Sequence, residues 1–185
     1  MRLPIETKCA NWEQSYLLPM LKKILIALLA LLVIIQFFRP ERNLSDDNTA
    51  SISTKYVLSD SVQTILRKAC YDCHSNKTEY PWYANVQPVA WWLNSHIEEG
   101  KGHLNYSTFT TRPLAIQFHK FEETVEEVEE GEMPLESYTW LGVHSDANLT
   151  DAERETLVGW AKAQMDTLKQ NYPPDSLVRK RRPGA

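Results

Sequence analysis

The sequence predicts an all-α fold, a small helical domain preceded by a single N-terminal transmembrane helix. Three observations predict it. One apolar run, Ile24 to Phe38, is broken only by Gln36 and stops at Arg39-Pro40. Beyond it, apolar residues recur at helical spacing in four separate stretches, and no stretch shows convincing strand alternation. The 185 residues hold one membrane segment and one domain of ordinary size. With 24% charged residues and a net charge of −4, nothing in the composition points to a nucleic-acid binder or a disordered chain.

Residues 1–19 read as an N-terminal extension unlike anything an anchored domain needs. Met20-Leu21-Lys22-Lys23 would make a natural start, which would leave Cys9 without a role. Residues 20–38 form the expected anchor. As a helix, Ile24 to Phe38 spans roughly 22 Å, and Met20 and Leu21, with the two lysines snorkelling outward, extend it toward the roughly 30 Å hydrocarbon core. A cleaved secretory signal is the competing reading. The first weak small-x-small site, Asn48-Thr49-Ala50, lies far past the apolar run, which favours a retained anchor. Lys8, Lys22 and Lys23 place the amino terminus inside and the domain outside, with Arg39 and Arg42 blunting the asymmetry.

Residues 39–55 read as a linker, its polar stretch Leu44–Ser53 as a flexible tether. The domain covers 56–170. Ser59 or Asp60 caps a helix carrying Val62, Ile65, Leu66 and Ala69, which leads straight into Cys70. Tyr80-Pro81-Trp82-Tyr83 is an aromatic loop, and a second helix runs from Pro88 or Val89 through Trp91, Trp92 and His96 to Gly100. After a loop with His103 and Pro113, the stripe Leu114, Phe118, Phe121, Val125, Val128 traces a third helix with glutamates on its other face, ended by Gly131. Thr150 and Glu153 form a capping-box signature, and Leu157, Trp160, Ala161, Gln164 and Leu168 line the last long helix. Residues 171–185, with Arg179, Lys180, Arg181 and Arg182, are expected to be a loose basic tail.

The chemistry sits in Cys70-Tyr71-Asp72-Cys73-His74, a C-x-x-C-H sequence and the attachment signature of c-type haem. Two thiols three residues apart on a helical turn can each add to one vinyl group of the same porphyrin, and the adjacent imidazole can then reach the iron. A redox dithiol of the thioredoxin kind would follow a strand in a βαβ unit, which is not visible. A zinc site would need further ligands, and His96, His103, His119 and His144 are scattered singly. For a second axial ligand the candidate is Met133 in Glu132-Met133-Pro134, a soft donor that raises the reduction potential. His96 and His103 are its rivals, and Met165 reads as packing. Trp82, Trp91, Trp92 and Trp140, with Tyr80, Tyr83 and Tyr138, read as core packing or as the wall of a haem pocket. Glutamates 122, 123, 126, 127, 129, 130 and 132 form a solvated face, or else a surface that steers a basic redox partner.

From about Leu58 to Leu168 the chain resembles the haem-binding domain family of small exported bacterial proteins. The residues that carry the resemblance are Ala69 to Asn76, Tyr80-Pro81-Trp82-Tyr83, Trp91-Trp92-Leu93 and Gly131-Glu132-Met133-Pro134-Leu135. The order of helix, C-x-x-C-H, Met-Pro and closing helix is also that of a class I cytochrome c. The resemblance implies a cytochrome c-like fold, one covalent haem c at Cys70, Cys73 and His74, and Met133 as the distal iron ligand. The expected role is one-electron transfer by a carrier without substrate chemistry of its own, held in a bacterial inner membrane with its domain in the periplasm. A haem-based ligand-binding or sensing module is the alternative, and a zinc-binding structural domain a further one.

Overall fold

A computed structural model describes residues 6–139 and 144–179, with side chains from Leu17 onward. Regular structure among the described residues is helical, apart from an isolated antiparallel bridge between Leu44 and Lys77. The predicted all-α class is therefore the observed one. The chain divides into two compact units, one formed by the chain through Glu41 with Trp82–Leu93, the other by Arg42–Pro81 with the residues from Asn94 onward.

In the first unit, helix α1 spans Glu6–Ile35 and includes Pro19. Its stretch Leu17–Ile35 is long and apolar enough to cross a membrane, and none of it is buried within the protein. The helix stops at Ile35 rather than at the expected Phe38, because Gln36, the one polar break in the apolar run, turns the chain. Its amide N–H donates to Leu32 O at 2.9 Å and Gln87 O at 3.2 Å, and its carbonyl accepts the Gln87 backbone N–H at 3.0 Å. Gln87 returns the interaction, donating to Phe38 O at 2.8 Å, where the Trp91 indole N–H also donates at 2.9 Å. A helix end leaves carbonyls without intrahelical donors, and these side chains take up donors and acceptors just past α1. Trp82–Asn85 forms a short 3-10 turn in the same unit.

The second unit is built from helices α2 (Asp60–Ala69), the single turn α3 (Tyr71–His74), α5 (Leu114–Glu130), α6 (Glu136–Thr139), α7 (Asp151–Asn171) and α8 (Pro174–Leu177). Helix α4, Val89–His103, begins in the first unit and continues into the second, three residues past its expected end at Gly100. The predicted caps form. Ser59 Oγ accepts the Val62 N–H at 3.3 Å, Gly131 ends α5 at φ 81° where a side chain would be strained, and Thr150 and Glu153 close a reciprocal capping box on α7. Helices α5 and α7 form the principal packed pair, with α2 against α7. At the centre lies Phe121, with ring centroids 5.0 Å from Tyr56, 5.2 Å from Phe109 and 5.5 Å from Trp160.

Two expectations need correction. The polar stretch 44–53 is no free tether. Ile52 is fully buried, Thr110 donates from both its N–H and hydroxyl to Ala50 O, and Ser45 N–H donates to Asn76 O. The polar side chains that suggested a linker are spent on local turns, such as Asp47 accepting from Thr49, while one apolar residue anchors the segment. Nor is the chain loose from Pro173, because α8 packs on α5 and α7 and buries Leu177. Residues 180–185 lie outside the described residues.

Ile52→Ala should therefore destabilise the domain by about 2–5 kcal/mol in urea denaturation, the usual cost of truncating a fully buried aliphatic side chain; a tether residue would cost almost nothing. A second expectation concerns acid. The Lys68 ammonium, 2.7 Å from Glu153, and then the Thr150 N–H hold the Glu153 carboxyl down to about 2 from the usual 4.5. Because the folded value is depressed, this stabilisation is complete above pH 4.5 and is lost as pH falls toward 2. Acid titration of Glu153→Gln should show a flatter loss of stability over that window than the wild type.

Candidate functional site

Helix α2 ends on Cys70, whose N–H still bonds Leu66 O at 3.0 Å but whose backbone has left helical geometry at φ −125°. The chain then makes one further turn, with Cys73 N–H and His74 N–H donating to Cys70 O at 3.2 and 2.9 Å. The turn therefore carries both thiols and the imidazole. Cys70 and Cys73 are free and half-buried. Burial, then the charge of its neighbour, pushes the Cys70 thiol up to about 12 and the Cys73 thiol up to about 11. Both are neutral thiols at neutral pH. A redox dithiol depends on one cysteine with a depressed value, the opposite of the direction that burial sets for these two thiols.

His74 is held from the end of α4. Its Nδ1 lies 3.0 Å from both Gly100 O and Leu104 O. Carbonyls only accept, so Nδ1 must carry the proton, and Nε2 is left with its lone pair. Burial lowers the imidazole's pKa, outweighing the two carbonyls that raise it, which keeps the ring neutral. A metal-ligating histidine is commonly oriented in this way, by a second partner on the other ring nitrogen.

Gly100 makes the approach possible. A Cβ there would stand 2.8 Å from Cys73 O and 3.1 Å from Cys73 Cβ, closer than atoms tolerate. The sequence suggested Gly100 only as a helix end, yet the helix runs through it. Its absent side chain is what lets the motif turn lie against α4.

The rest of the turn is fixed through residues that the pattern of the sequence did not single out. Asp72, between the cysteines, accepts the Glu79 N–H at 2.8 Å and the Tyr138 hydroxyl at 2.9 Å, while its backbone carbonyl accepts from Thr78 Oγ1 at 2.6 Å. Burial raises the Asp72 carboxyl above its usual range, against these donors. Asn43 donates to Ser75 O at 2.9 Å and Thr78 Oγ1 at 3.0 Å and accepts from Lys101 Nζ at 2.5 Å. It lies in the segment read as linker, so only its place in the fold reveals its role.

Met133 occupies the loop after α5, half-buried, with its N–H bonded to Glu127 O at 3.1 Å. Arg154 holds this loop by donating to Val128 O at 2.9 Å and Met133 O at 3.3 Å. Of the rival ligands, His96 lies one turn before Gly100 on α4, and His103 is exposed at the end of that helix. Met165 packs against the core, as expected. Trp82, Trp91 and Trp92 are not core packing, being 78%, 40% and 39% exposed. Trp140 lies outside the described residues. Tyr80 accepts the Asn43 N–H at its hydroxyl, and Tyr138 stacks on His144 at 4.3 Å. Among the described residues, no group of three or more His, Cys, Asp or Glu side chains is placed to hold a metal ion. The glutamates of α5 line a groove of about 270 Å³ over Val125 and Met165, and Glu129 pairs with Lys162 at 2.6 Å.

Gly100→Ala should force α4 and the motif turn apart, at a cost of about 1–3 kcal/mol for overpacking. Chemical denaturation checks the cost. Gly102→Ala, which meets no atom within 4 Å, is the control that gains the helix propensity of alanine without the clash.

Two neutral thiols and an imidazole with a free Nε2, all on one turn, form a donor set that fits haem. A family model described as the haem-binding domain matches residues 30–163, a span that contains Cys70, Cys73, His74 and Met133. No curated protein and no solved structure gives a significant match. The match covers well over half of the chain, and by it the chain belongs to the haem-binding domain family, with haem as its cofactor.

Proposed function

We propose that the chain is a membrane-anchored, mono-haem c-type cytochrome that passes single electrons between protein partners. The observation that carries this reading is His74 Nδ1, 3.0 Å from two carbonyls and on the same turn as two neutral thiols. Bound there, haem supplies a one-electron ferric/ferrous couple.

Cys70 and Cys73 would hold the haem through two thioethers, each by addition of S–H across one vinyl group, a balance that needs no oxidant. His74 offers Nε2 to the iron, and the carbonyls of Gly100 and Leu104 fix its tautomer and its plane. Met133 is the distal ligand in this reading, supported by a sulfur that is soft and half-buried and by a loop tied down through Glu127 and Arg154. His103 is the weaker rival, because it is exposed at the end of α4.

The stretch Leu17–Ile35 serves as a retained single-pass anchor, with Lys22 and Lys23 on the cytoplasmic side and the haem domain in the periplasm of a bacterial inner membrane. The exposed glutamates of α5, of which Glu122 lies against His119 and Glu129 against Lys162, suit a basic redox partner.

The test is expression with a cytochrome c maturation system. Wild-type protein should gain one haem in intact mass and give the pyridine haemochrome of a doubly thioether-linked haem, whereas Cys70→Ser/Cys73→Ser should lose covalent haem altogether. Colourless wild-type protein with the mass of its polypeptide would refute the assignment. Met133→Ala should abolish the methionine–iron absorption band and lower the reduction potential; an unchanged spectrum would instead indicate an iron with an open position, as in a haem-based sensor.

A further inference from the structure

Segment Trp82–Leu93 carries no charged residue in a chain that is 24% charged, and it holds three of the protein's six tryptophans. Leu93 is buried, but several of the segment's large side chains are left in the open. Trp82 is 78% exposed, Val86 45% and Trp91 40%. An uncharged, tryptophan-rich patch of this kind is poorly suited to water.

The hydrogen bonds of the first unit fix where this segment lies. Gln87 Nε2 and the Trp91 indole N–H both donate to Phe38 O, at 2.8 and 2.9 Å, and Gln36 and Gln87 bond reciprocally. The segment is thus attached within a few residues of the end of the apolar stretch Leu17–Ile35. That stretch has 19 residues and, at about 1.5 Å each, reaches about 28 Å, close to the thickness of a hydrocarbon core. Phe37 and Phe38, 82% and 63% exposed, continue the aromatic surface. Tryptophan concentrates at this depth in membrane proteins, where an apolar ring meets the headgroups.

We propose that Trp82–Leu93 is a second membrane-contacting element, lying in the bilayer interface with Trp82 and Trp91 in the region where headgroups meet acyl chains. Its occupant is lipid. This rests on α1 being a retained anchor.

The full-length holoprotein, in a Trp12→Phe background, is reconstituted into phosphatidylcholine nanodiscs whose acyl chains are unbrominated, brominated near the headgroup, or brominated near the chain end. Tryptophan emission is expressed relative to the unbrominated discs, which cancels quenching by the haem. Headgroup-proximal bromine should quench more than deep bromine, and Trp82→Phe/Trp91→Phe/Trp92→Phe should lose most of the quenched emission. If that variant loses its haem spectrum, the depth dependence of the wild-type tryptophans decides alone. Emission insensitive to lipid bromine but quenched by aqueous iodide would overturn the proposal, as would emission insensitive to both, which would mean that protein or haem covers the patch. Release of the chain by alkaline carbonate would overturn the anchor and this inference with it, whereas retention without lipid quenching overturns this inference alone.

Discussion

The bonds between His74 Nδ1 and the end of α4 are the constraint on which the site depends. A helix terminates with carbonyls that lack intrahelical donors and with partial negative charge. Gly100 O already accepts the Leu104 N–H at 2.9 Å, and its second lone pair, with Leu104 O, takes the imidazole proton. One interaction therefore satisfies the helix end and sets the histidine tautomer. It requires backbone-to-backbone proximity that Gly100 alone permits, since any side chain would meet Cys73 O. The same carbonyls make Nε2 a stronger donor than a freely rotating imidazole would offer.

Burial drives the turn toward neutrality in every group. The two thiols and the Asp72 carboxyl are pushed up, and the imidazole is pushed down. The common cause is loss of solvent around charged forms. The two thiols and the imidazole of the turn are thus shifted toward their uncharged forms, as neutral sulfur and nitrogen donors.

Much of this was legible in the sequence where the determinants are local. The Ser59 cap, the Thr150/Glu153 box and Gly131 each act within a few residues, and each is found as predicted. What escaped notice is non-local. Asn43 acts on a loop more than thirty residues away, Gly100 is needed only because Cys73 passes beside it, and Ile52 looks like a stray apolar residue in a polar stretch until its burial is seen. Leu177 misled in the same way, because proline and charge around it masked one well-packed side chain. Trp82, Trp91 and Trp92 erred in the opposite direction, since aromatic content suggests a core but does not specify one. The core aromatics are Tyr56, Tyr106, Phe109, Phe118, Phe121 and Trp160.

Asp72 joins these pieces. A carboxylate half-buried between two cysteines would be costly without partners, and it has three points of attachment. Its side chain takes the Glu79 N–H and the Tyr138 hydroxyl, and its carbonyl takes Thr78 Oγ1, which also accepts from Asn43. Tyr138 follows Met133 by five residues, so at most about 17 Å of extended chain separates Met133 from the residue that is bonded to the motif turn. From the other direction Arg154 grips the carbonyl of Met133 itself. The loop that carries the candidate distal ligand is thus bounded on both sides, by α7 through Arg154 and by the motif turn through Asp72. The turn that presents His74 and the loop that presents Met133 share one polar frame, and a disturbance at Asp72 reaches both.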